Sequence, residues 1–235
     1  KEEFIKELTD GLTPPPSYFP ENVMLNKNGY DDIDDVMERA INPLSVKEFK
    51  EESIKGSTVV LDVRHQSKFV KGFIADSIFI GIDGGFAPWV GTIIQNTRTP
   101  ILLVLEKNRL NEVITRLARV GFDNVIGYLE GGINSWTKEG ESIDSIESIS
   151  PDQFENIIEK NNLSHVVDVR KESEFLSQHM TDAKLAPLSD LSNHLDKFSS
   201  DYKNYVHCAG GYRSVIACSL LKQKGRHNVI NIEGG

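Results

Sequence analysis

Residues 60–64 have the sequence VLDVR, and residues 166–170, which lie 106 positions further along the chain, have the sequence VVDVR. Two later pairs of segments repeat in the same order, namely GFDNV at 121–125 with GRHNV at 225–229 and EGG at 130–132 with EGG at 233–235. Self-similarity at a long, nearly constant spacing indicates duplicated structural units. The sequence therefore predicts two similar domains.

Each repeat begins with a helix signal. Ser45 and Glu48 have the spacing of a capping box, and Ser150 is followed by Pro151 and Gln153 in the corresponding positions of the second repeat. Short apolar runs predict strands at 58–61, 101–105, 125–128, 165–167, 205–207 and 229–232.

Apolar residues at helical spacing predict helices over 109–120 and 214–224, which stop at Gly121 and Gly225. Alternating helices and strands are typical of parallel sheets covered by helices. The predicted fold class is α/β, with two such domains preceded by an extended or helical arm.

The repeats divide the chain into three parts. Residues 1–44 match neither repeat and form the predicted arm, residues 45–144 form the first domain, and residues 145–235 form the second, whose last helix is expected to be missing from the sequence. Within the arm, a proline run occupies 13–16. The acidic stretch at 31–35 lacks the glycine and distal glutamate of a calcium loop, so it predicts a solvated helix face.

The overall composition narrows the choice of partners. A formal charge of −9 disfavours extended nucleic-acid or anionic-membrane surfaces, and the longest apolar run, 101–105, is far below the roughly 20 residues of a membrane span. The six histidines lack metal-ligand spacing, so no metal site is predicted. Cys208 and Cys218 are too far apart for a disulfide if a helix joins them, which favours a cytoplasmic location.

The stretch with the clearest chemistry is VHCAGGYRS at 206–214, a predicted strand, glycine-rich loop and helix. Cys208 ends the strand, where open α/β sheets bind ligands, and the following helix directs its N–H groups back at the sulfur. This position and the charge of Arg213 favour a thiolate. Cys218 falls in the apolar pattern of the helix and predicts core packing.

Two glycines in the loop allow successive amides to face an anion, and Arg213 can offer a planar fork to a sulfur oxyanion. The alternative is a buried structural cysteine beside an ordinary turn. The predicted catalytic residues are Cys208 and Arg213, and the predicted substrate cradle comprises Ala209, Gly210, Gly211, Tyr212 and Arg213. The Asp-Val-Arg pairs, present in both repeats, predict structural ion pairs.

Together, the Asp-Val-Arg motifs, the Cys-x-x-x-x-Arg-Ser loop and the Glu-Gly-Gly motifs resemble the rhodanese family over 43–235. The resemblance implies that Cys208 carries a persulfide and exchanges sulfur with thiosulfate, sulfite, cyanide or low-molecular-weight thiols. An alignment anchored on Gly121 and Gly225 places Val104 opposite Cys208 and Arg109 opposite Arg213. Residues 105–108 then replace the cradle, which predicts an inactive first domain.

The segments 11–20 and 22–26 resemble the region that follows the metallo-β-lactamase-fold domain in persulfide dioxygenase–rhodanese fusions. This resemblance implies a covalently linked upstream domain that binds iron and oxidises a persulfide to sulfite, which Cys208 would convert to thiosulfate in sulfide detoxification. The present chain has no such iron ligands and is expected to need no cofactor itself.

Two other functions compete with sulfur transfer. Cysteine phosphatases and arsenate reductases share the fold and the nucleophile, but their loop is longer than the four residues between Cys208 and Arg213. A non-catalytic interaction module describes the first repeat well and, if Cys208 were inert, would describe the whole chain.

Overall fold

The computed structural model describes residues 2–9, 19–29, 31–106, 108–161 and 165–235. The proline run at 13–16, most of the arm segment that resembles dioxygenase fusions, and Lys107 lie outside these ranges. No helix within them is long and apolar enough to cross a membrane.

The first unit is a five-stranded sheet. Its strands are β1 (Pro43–Leu44), β2 (Val59–Asp62), β3 (Ile78–Phe79), β4 (Ile101–Val104) and β5 (Val125–Leu129). They lie in the order β1-β5-β4-β2-β3, and all pairs are parallel. The helices are α1 (Glu2–Thr9) and α2 (Phe19–Asn28) in the arm, followed by α3 (Ile33–Ala40), α4 (Val46–Ser53), α5 (Gln66–Phe69), α6 (Phe86–Ile94), α7 (Leu110–Ala118) and α8 (Ile133–Lys138).

The second unit repeats this arrangement. Its strands are β6 (Glu147–Ile149), β7 (Val166–Asp168), β8 (Lys184–Leu185), β9 (Asn204–His207) and β10 (Val229–Ile232). The order β6-β10-β9-β7-β8 is again wholly parallel. The helices are α9 (Pro151–Asn161), α10 (Glu172–Ser177), a 3-10 segment (Leu188–Lys197) and α11 (Tyr212–Gln223). Two parallel α/β units confirm the predicted fold class.

The central strands are buried on both faces because helices cover both sides of each sheet. Every residue of β4 and β9 is buried. Parallel strands of this kind consist of nearly continuous apolar residues rather than alternating ones. This explains why short apolar runs were sufficient to predict them.

Helix starts follow the predicted capping chemistry. In the first unit the hydroxyl of Ser45 accepts from the Glu48 amide, and the Glu48 carboxylate accepts from the Ser45 amide. In the second unit Ser150 and Gln153 make the same reciprocal bonds. Each box satisfies amides that the first helical turn leaves unpaired.

The Asp-Val-Arg motifs form the predicted structural ion pairs. Arg64 binds the fully buried Asp62 at 2.6 Å and also donates to the Gly72 carbonyl. In the second unit Arg170 binds Asp168 at 2.7 Å and donates to the Gln178 carbonyl. In each unit, one arginine thus ties the end of a central strand to a loop eight residues further along the chain.

The first unit includes residues that the sequence analysis assigned to the arm. β1 pairs with β5, and α3 contacts α7 and β5. Val36 and Ala40 of α3 are buried in the main core. The unit therefore begins before residue 45, because α3 covers apolar side chains that would otherwise face water. The acidic stretch lies, as predicted, on exposed positions at the start of α3.

The strand register corrects the predicted alignment of the two repeats. Asp62 lies opposite Val104, and the equivalent Asp168 lies opposite His207. Val104 therefore corresponds to His207, and the next residue, Leu105, corresponds to Cys208. The anchored alignment was wrong by one position because 16 residues (105–120) lie between β4 and Gly121, whereas 17 residues (208–224) lie between β9 and Gly225.

The two units pack against each other along α11. Residues 214–221 of this helix are all buried, as expected for a helix covered on every side. α11 contacts β9 and β10 of its own unit and β3 of the first unit. One cluster of buried side chains consequently runs through both units.

Candidate active site

Cys208 follows β9 directly and lies at the carboxyl end of the sheet, and three residues separate it from Tyr212, where α11 begins. Its side chain is nearly buried, with 4% of the residue exposed. The thiol donates to the Ser214 hydroxyl oxygen at 3.7 Å. The strand, loop and helix therefore place the sulfur where the sequence predicted it.

The surroundings of Cys208 favour its thiolate. Burial alone would raise the pKa of the thiol, but backbone N–H groups of Gly210 and Ser214, the Ser214 hydroxyl and the charge of Arg213 outweigh burial. The pKa consequently lies below the usual range of cysteine, because hydrogen bonds to the charged form stabilise it. By contrast, burial raises the pKa of Cys218, which is fully buried in the core as predicted.

The loop requires glycine where it approaches the end of the chain. Gly211 has φ +72° and precedes the first turn of α11, and a Cβ on it would lie 3.0 Å from the amide nitrogen of Gly234. A Cβ on Gly235 would lie 2.5 Å from the Cys208 carbonyl oxygen. The Glu-Gly-Gly motif thus supports the loop after Cys208 by backbone packing.

The first unit uses the same packing without a thiol. A Cβ on Gly132 would lie 3.1 Å from the carbonyl oxygen of Leu105, the counterpart of Cys208. This contact supports the corrected alignment independently of the strand register. Arg109, which the sequence analysis placed opposite Arg213, instead bonds Asp83 and Glu112.

Arg213 does not hold its fork open for an oxyanion. Its Nη1 and Nη2 donate to the two carboxylate oxygens of Glu174 at 2.6 and 2.8 Å. This pairing lowers the pKa of Glu174 to about 2. The sequence predicted that the guanidinium of Arg213 binds a sulfur oxyanion. In the structure it forms a bidentate ion pair instead, which connects the loop after Cys208 to α10.

Tyr212 also differs from its predicted role in the cradle. Its hydroxyl donates to the carbonyl of Gly81, in the first unit, at 2.6 Å. Only its backbone belongs to the loop around the sulfur. The Ala209 and Gly210 positions remain in that loop, and a Cβ on Gly210 would meet no atom within 4 Å.

Two buried polar residues, Ser214 beside the sulfur and Asn231 beside Ser214, have a role that the sequence did not predict. The Ser214 hydroxyl donates to Asn231 Oδ1 at 2.7 Å, and Asn231 Nδ2 donates to the Ser148 hydroxyl at 3.3 Å. Ser214 and Asn231 are 0% and 3% exposed. An asparagine within the apolar strand β10 was the available sequence signal, since buried amides need hydrogen-bond partners.

A cleft of about 720 Å³ opens on the other side of Cys208. His207 lines it, and its Nε2 has no hydrogen-bond partner among the described residues and lies 3.8 Å from Asp168. Burial lowers the pKa of this histidine.

In the first unit, the position that corresponds to this cleft is occupied differently. Trp136 of α8 packs edge-on against Phe49, and Phe49 is the counterpart of Phe154, which lines the cleft in the second unit. Among the described residues, no group of three His, Cys, Asp or Glu side chains could hold a metal ion.

A parallel α/β sheet with a cysteine at the carboxyl end of a central strand, facing a helix N-terminus, defines a class of proteins with a nucleophilic thiolate. Within that class, the family model described as Rhodanese-like domain matches residues 45–139 and 150–235. The chain therefore belongs to the rhodanese-like domain family and contains two copies of the domain. This confirms the family resemblance seen in the sequence.

Individual relatives are more distant. The chain is 26% identical over 95 residues to a putative sulfur carrier protein, YrkF, of Bacillus subtilis, covering 40% of this chain and 51% of the relative. It is 30% identical over 70 residues to a sulfurtransferase of Allochromatium vinosum, covering 30% and 65%. A thiosulfate sulfurtransferase structure from Pseudomonas aeruginosa is 18% identical, with TM-score 0.38, over 83% of this chain and 41% of that one. The chain spans about half the length of the first curated relatives.

Proposed function

We propose that this chain is a sulfurtransferase that carries sulfur as a persulfide on Cys208. The observation that supports this most directly is the set of donors around the sulfur, in which the amides of Gly210 and Ser214 lower the pKa of the thiol despite its burial. A resting structural cysteine needs no such donors. The similarity to a putative sulfur carrier protein of Bacillus subtilis and to a sulfurtransferase of Allochromatium vinosum also supports the proposal.

The reaction requires two displacements at sulfur and no redox cofactor. The Cys208 thiolate attacks the outer sulfur of thiosulfate, the sulfur–sulfur bond of the donor breaks, and sulfite leaves with the bonding electron pair. An acceptor thiolate or sulfite then attacks the outer sulfur of the Cys208 persulfide, and the Cys208 thiolate leaves. Low-molecular-weight persulfides serve as donors by the same first step.

The loop contributes to both steps by stabilising negative charge on sulfur. The N–H groups at the start of α11 are aligned with the helix dipole, which favours an anion there. Arg213 holds the loop on Glu174, and its charge lowers the pKa of Cys208 by less than the backbone hydrogen bonds of the loop do. The binding of the oxygens of a thiosulfate donor is consequently expected to depend on backbone amides of the loop more than on the guanidinium of Arg213.

Two alternatives have less support. A cysteine phosphatase or arsenate reductase needs a wider loop, and only four residues separate Cys208 from Arg213. A non-catalytic interaction module fits the first unit, where Leu105 replaces the thiol, but gives no reason for the donors around Cys208.

Intact mass measurement tests the proposal. After incubation with thiosulfate or glutathione persulfide, the wild-type protein should gain one sulfur, about 32 Da, while Cys208→Ser should gain none. Cys218→Ala is the matched control and should still gain the sulfur, because this second cysteine is buried in the core. If the wild type gains nothing from either donor, the interaction-module alternative replaces the sulfurtransferase.

We propose further that this chain acts in the cytoplasm as the sulfurtransferase part of a persulfide dioxygenase fusion in sulfide detoxification. The support is the resemblance of segments 11–20 and 22–26 to the region between the two activities. In this scheme a linked iron-dependent domain supplies sulfite, which the Cys208 persulfide converts to thiosulfate. The test is the reading frame upstream of Lys1: a metal-ligand motif of the metallo-β-lactamase fold supports the fusion, and an unrelated sequence refutes it.

A further inference from the structure

The first unit, which lacks a thiol, contacts the catalytic helix through main-chain atoms of its edge strand. The Phe79 amide in β3 donates to the Ser219 hydroxyl of α11 at 3.1 Å. About one turn further along α11, at its last residue, Gln223 donates to the Asp76 carbonyl at 3.1 Å. These bonds align α11 along the edge of the first sheet.

The contact extends to the catalytic loop through Tyr212, the first residue of α11. The hydroxyl of Tyr212 donates to Gly81 at 2.6 Å. Its ring meets the ring of Phe79 edge-on, with centroids 5.8 Å apart. Tyr212 lies between Gly211 and Arg213, so its side chain fixes the backbone that presents amides to Cys208.

The first unit is shaped to receive this tyrosine. A Cβ on Gly84 would lie 2.4 Å from two ring carbons of Tyr212, far inside van der Waals contact. The neighbouring Gly85 has φ −71°, and a Cβ on it would approach only Trp89, at 3.3 Å. Gly84 therefore allows close approach of the ring, whereas Gly85 does not touch it.

Arg116 of α7 and Arg109, which directly precedes this helix, hold the segment that receives Tyr212. Arg116 donates to the Ile82 carbonyl at 2.7 Å, and Arg109 donates to Asp83 at 2.9 Å. α7 follows β4 in the first unit as α11 follows β9 in the second. The counterpart of the catalytic helix thus stabilises residues 81–84, against which Tyr212 packs.

We infer that Tyr212 is a positioning residue through which the first unit holds the amides of Gly210 and Ser214 in line with the Cys208 sulfur. Without the contact at Gly81 and Gly84, the start of α11 would be held by contacts within its own unit, among them the Arg213–Glu174 pair and the Ser214–Asn231 hydrogen bond. The first unit then has a role in sulfur transfer although it cannot carry sulfur. The consequence for sulfur transfer rests on the proposed function, but the effect on the thiol does not.

The experiment measures the pH dependence of Cys208 alkylation by iodoacetamide in the folded full chain, with peptide mapping to separate Cys208 from Cys218. Gly84→Ala pushes the tyrosine ring away, so the alkylation profile should move to higher pH and the rate at pH 7 should fall roughly threefold or more. Gly85→Ala is the matched control and should retain the wild-type profile. Thermal unfolding of each variant shows whether the protein remains folded.

A second variant tests the hydrogen bond alone and decides the question if Gly84→Ala does not fold. Tyr212→Phe removes the bond to Gly81 but keeps the ring, so it should shift the profile in the same direction by a smaller amount. Tyr202→Phe, at an exposed tyrosine, should leave it unchanged. Wild-type profiles for every folded Gly84 and Tyr212 variant would overturn the inference.

The outcome is separable from the test of sulfur loading. A shifted profile in a protein that never gains sulfur would refute the proposed sulfurtransferase but retain Tyr212 as a positioning residue. Sulfur loading together with unshifted alkylation profiles would support the proposed sulfurtransferase and refute Tyr212 as a positioning residue.

Discussion

Around Cys208, four side chains form two hydrogen-bonded pairs. Ser214 donates to Asn231, which fixes its hydroxyl oxygen where it accepts from the Cys208 thiol. Arg213 connects the loop to Glu174 on α10. Glu174 is 39 positions away in the sequence, and no local pattern indicated that it would occupy the fork predicted to bind an oxyanion.

The Arg213–Glu174 pair makes stability depend on pH in a predictable direction. The pKa of Glu174 is about 2 in the folded protein, against about 4.3 for a free glutamate. A lowered folded-state pKa means that the pair stabilises the fold fully above pH of about 4.5 and that this contribution is lost as pH falls towards 2. Glu174→Gln should therefore lower the free energy of unfolding by about 1 kcal/mol at pH 6 and by less at pH 3.

Urea unfolding of wild type and variant between pH 2.5 and pH 7 measures this difference. Glu147→Gln is the control. Both side chains of the Glu147–Lys203 ion pair are exposed, so this pair should contribute little to the free energy of unfolding at any pH. A Glu174→Gln effect that grows as pH falls would contradict the assigned pair.

Among secondary-structure elements, the central strands and the two helices α7 and α11 were predictable because each consists of a distinct apolar run or helical pattern. The edge strands β1, β3 and β8 have only two residues each, too few to show a period, and they form because a neighbouring strand offers hydrogen bonds. The register between β2 and β4, rather than sequence spacing, identified Leu105 as the counterpart of Cys208.

This correspondence leads to a prediction about the first loop. In the double variant Leu105→Cys, Cys208→Ser, the new thiol should gain no sulfur from thiosulfate. The loop after β4 lacks the paired glycines and carries Glu106, whose carboxylate pairs with Lys68 and disfavours a nearby thiolate. Intact mass measures the result. A gain of about 32 Da would show that the sheet position alone is sufficient for a carrier site.

Across the whole molecule, the two units share one buried cluster and the helix α11. Phe79 is fully buried. Its ring packs against Phe69 of its own unit, with centroids 4.9 Å apart, and against Tyr212 of the other unit, with centroids 5.8 Å apart. Because apolar surface of both units is covered at this interface, the units are expected to unfold together.

Phe79→Ala tests this cooperativity. Removing the ring should lower the free energy of unfolding by about 3 to 5 kcal/mol. Circular dichroism and labelling of the buried Cys218 should shift to the same lower denaturant concentration. Ile54→Ala, at a residue that is 83% exposed, should change the free energy by less than about 0.5 kcal/mol. Separate transitions, with Cys218 labelling unchanged, would contradict a shared fold.

The sequence by itself determined the duplicated α/β units, the position of Cys208 after a buried strand, and the structural role of Cys218. These features follow from short-range sequence patterns, because apolar runs, helix caps and glycines determine the structure of the few residues around them. Only the tertiary structure decided that Glu174 pairs with Arg213, that Tyr212 points into the first unit, and that Asn231 holds Ser214 beside Cys208. Such contacts join segments far apart in the chain, and their partners are selected by packing and by the need to pair buried polar groups.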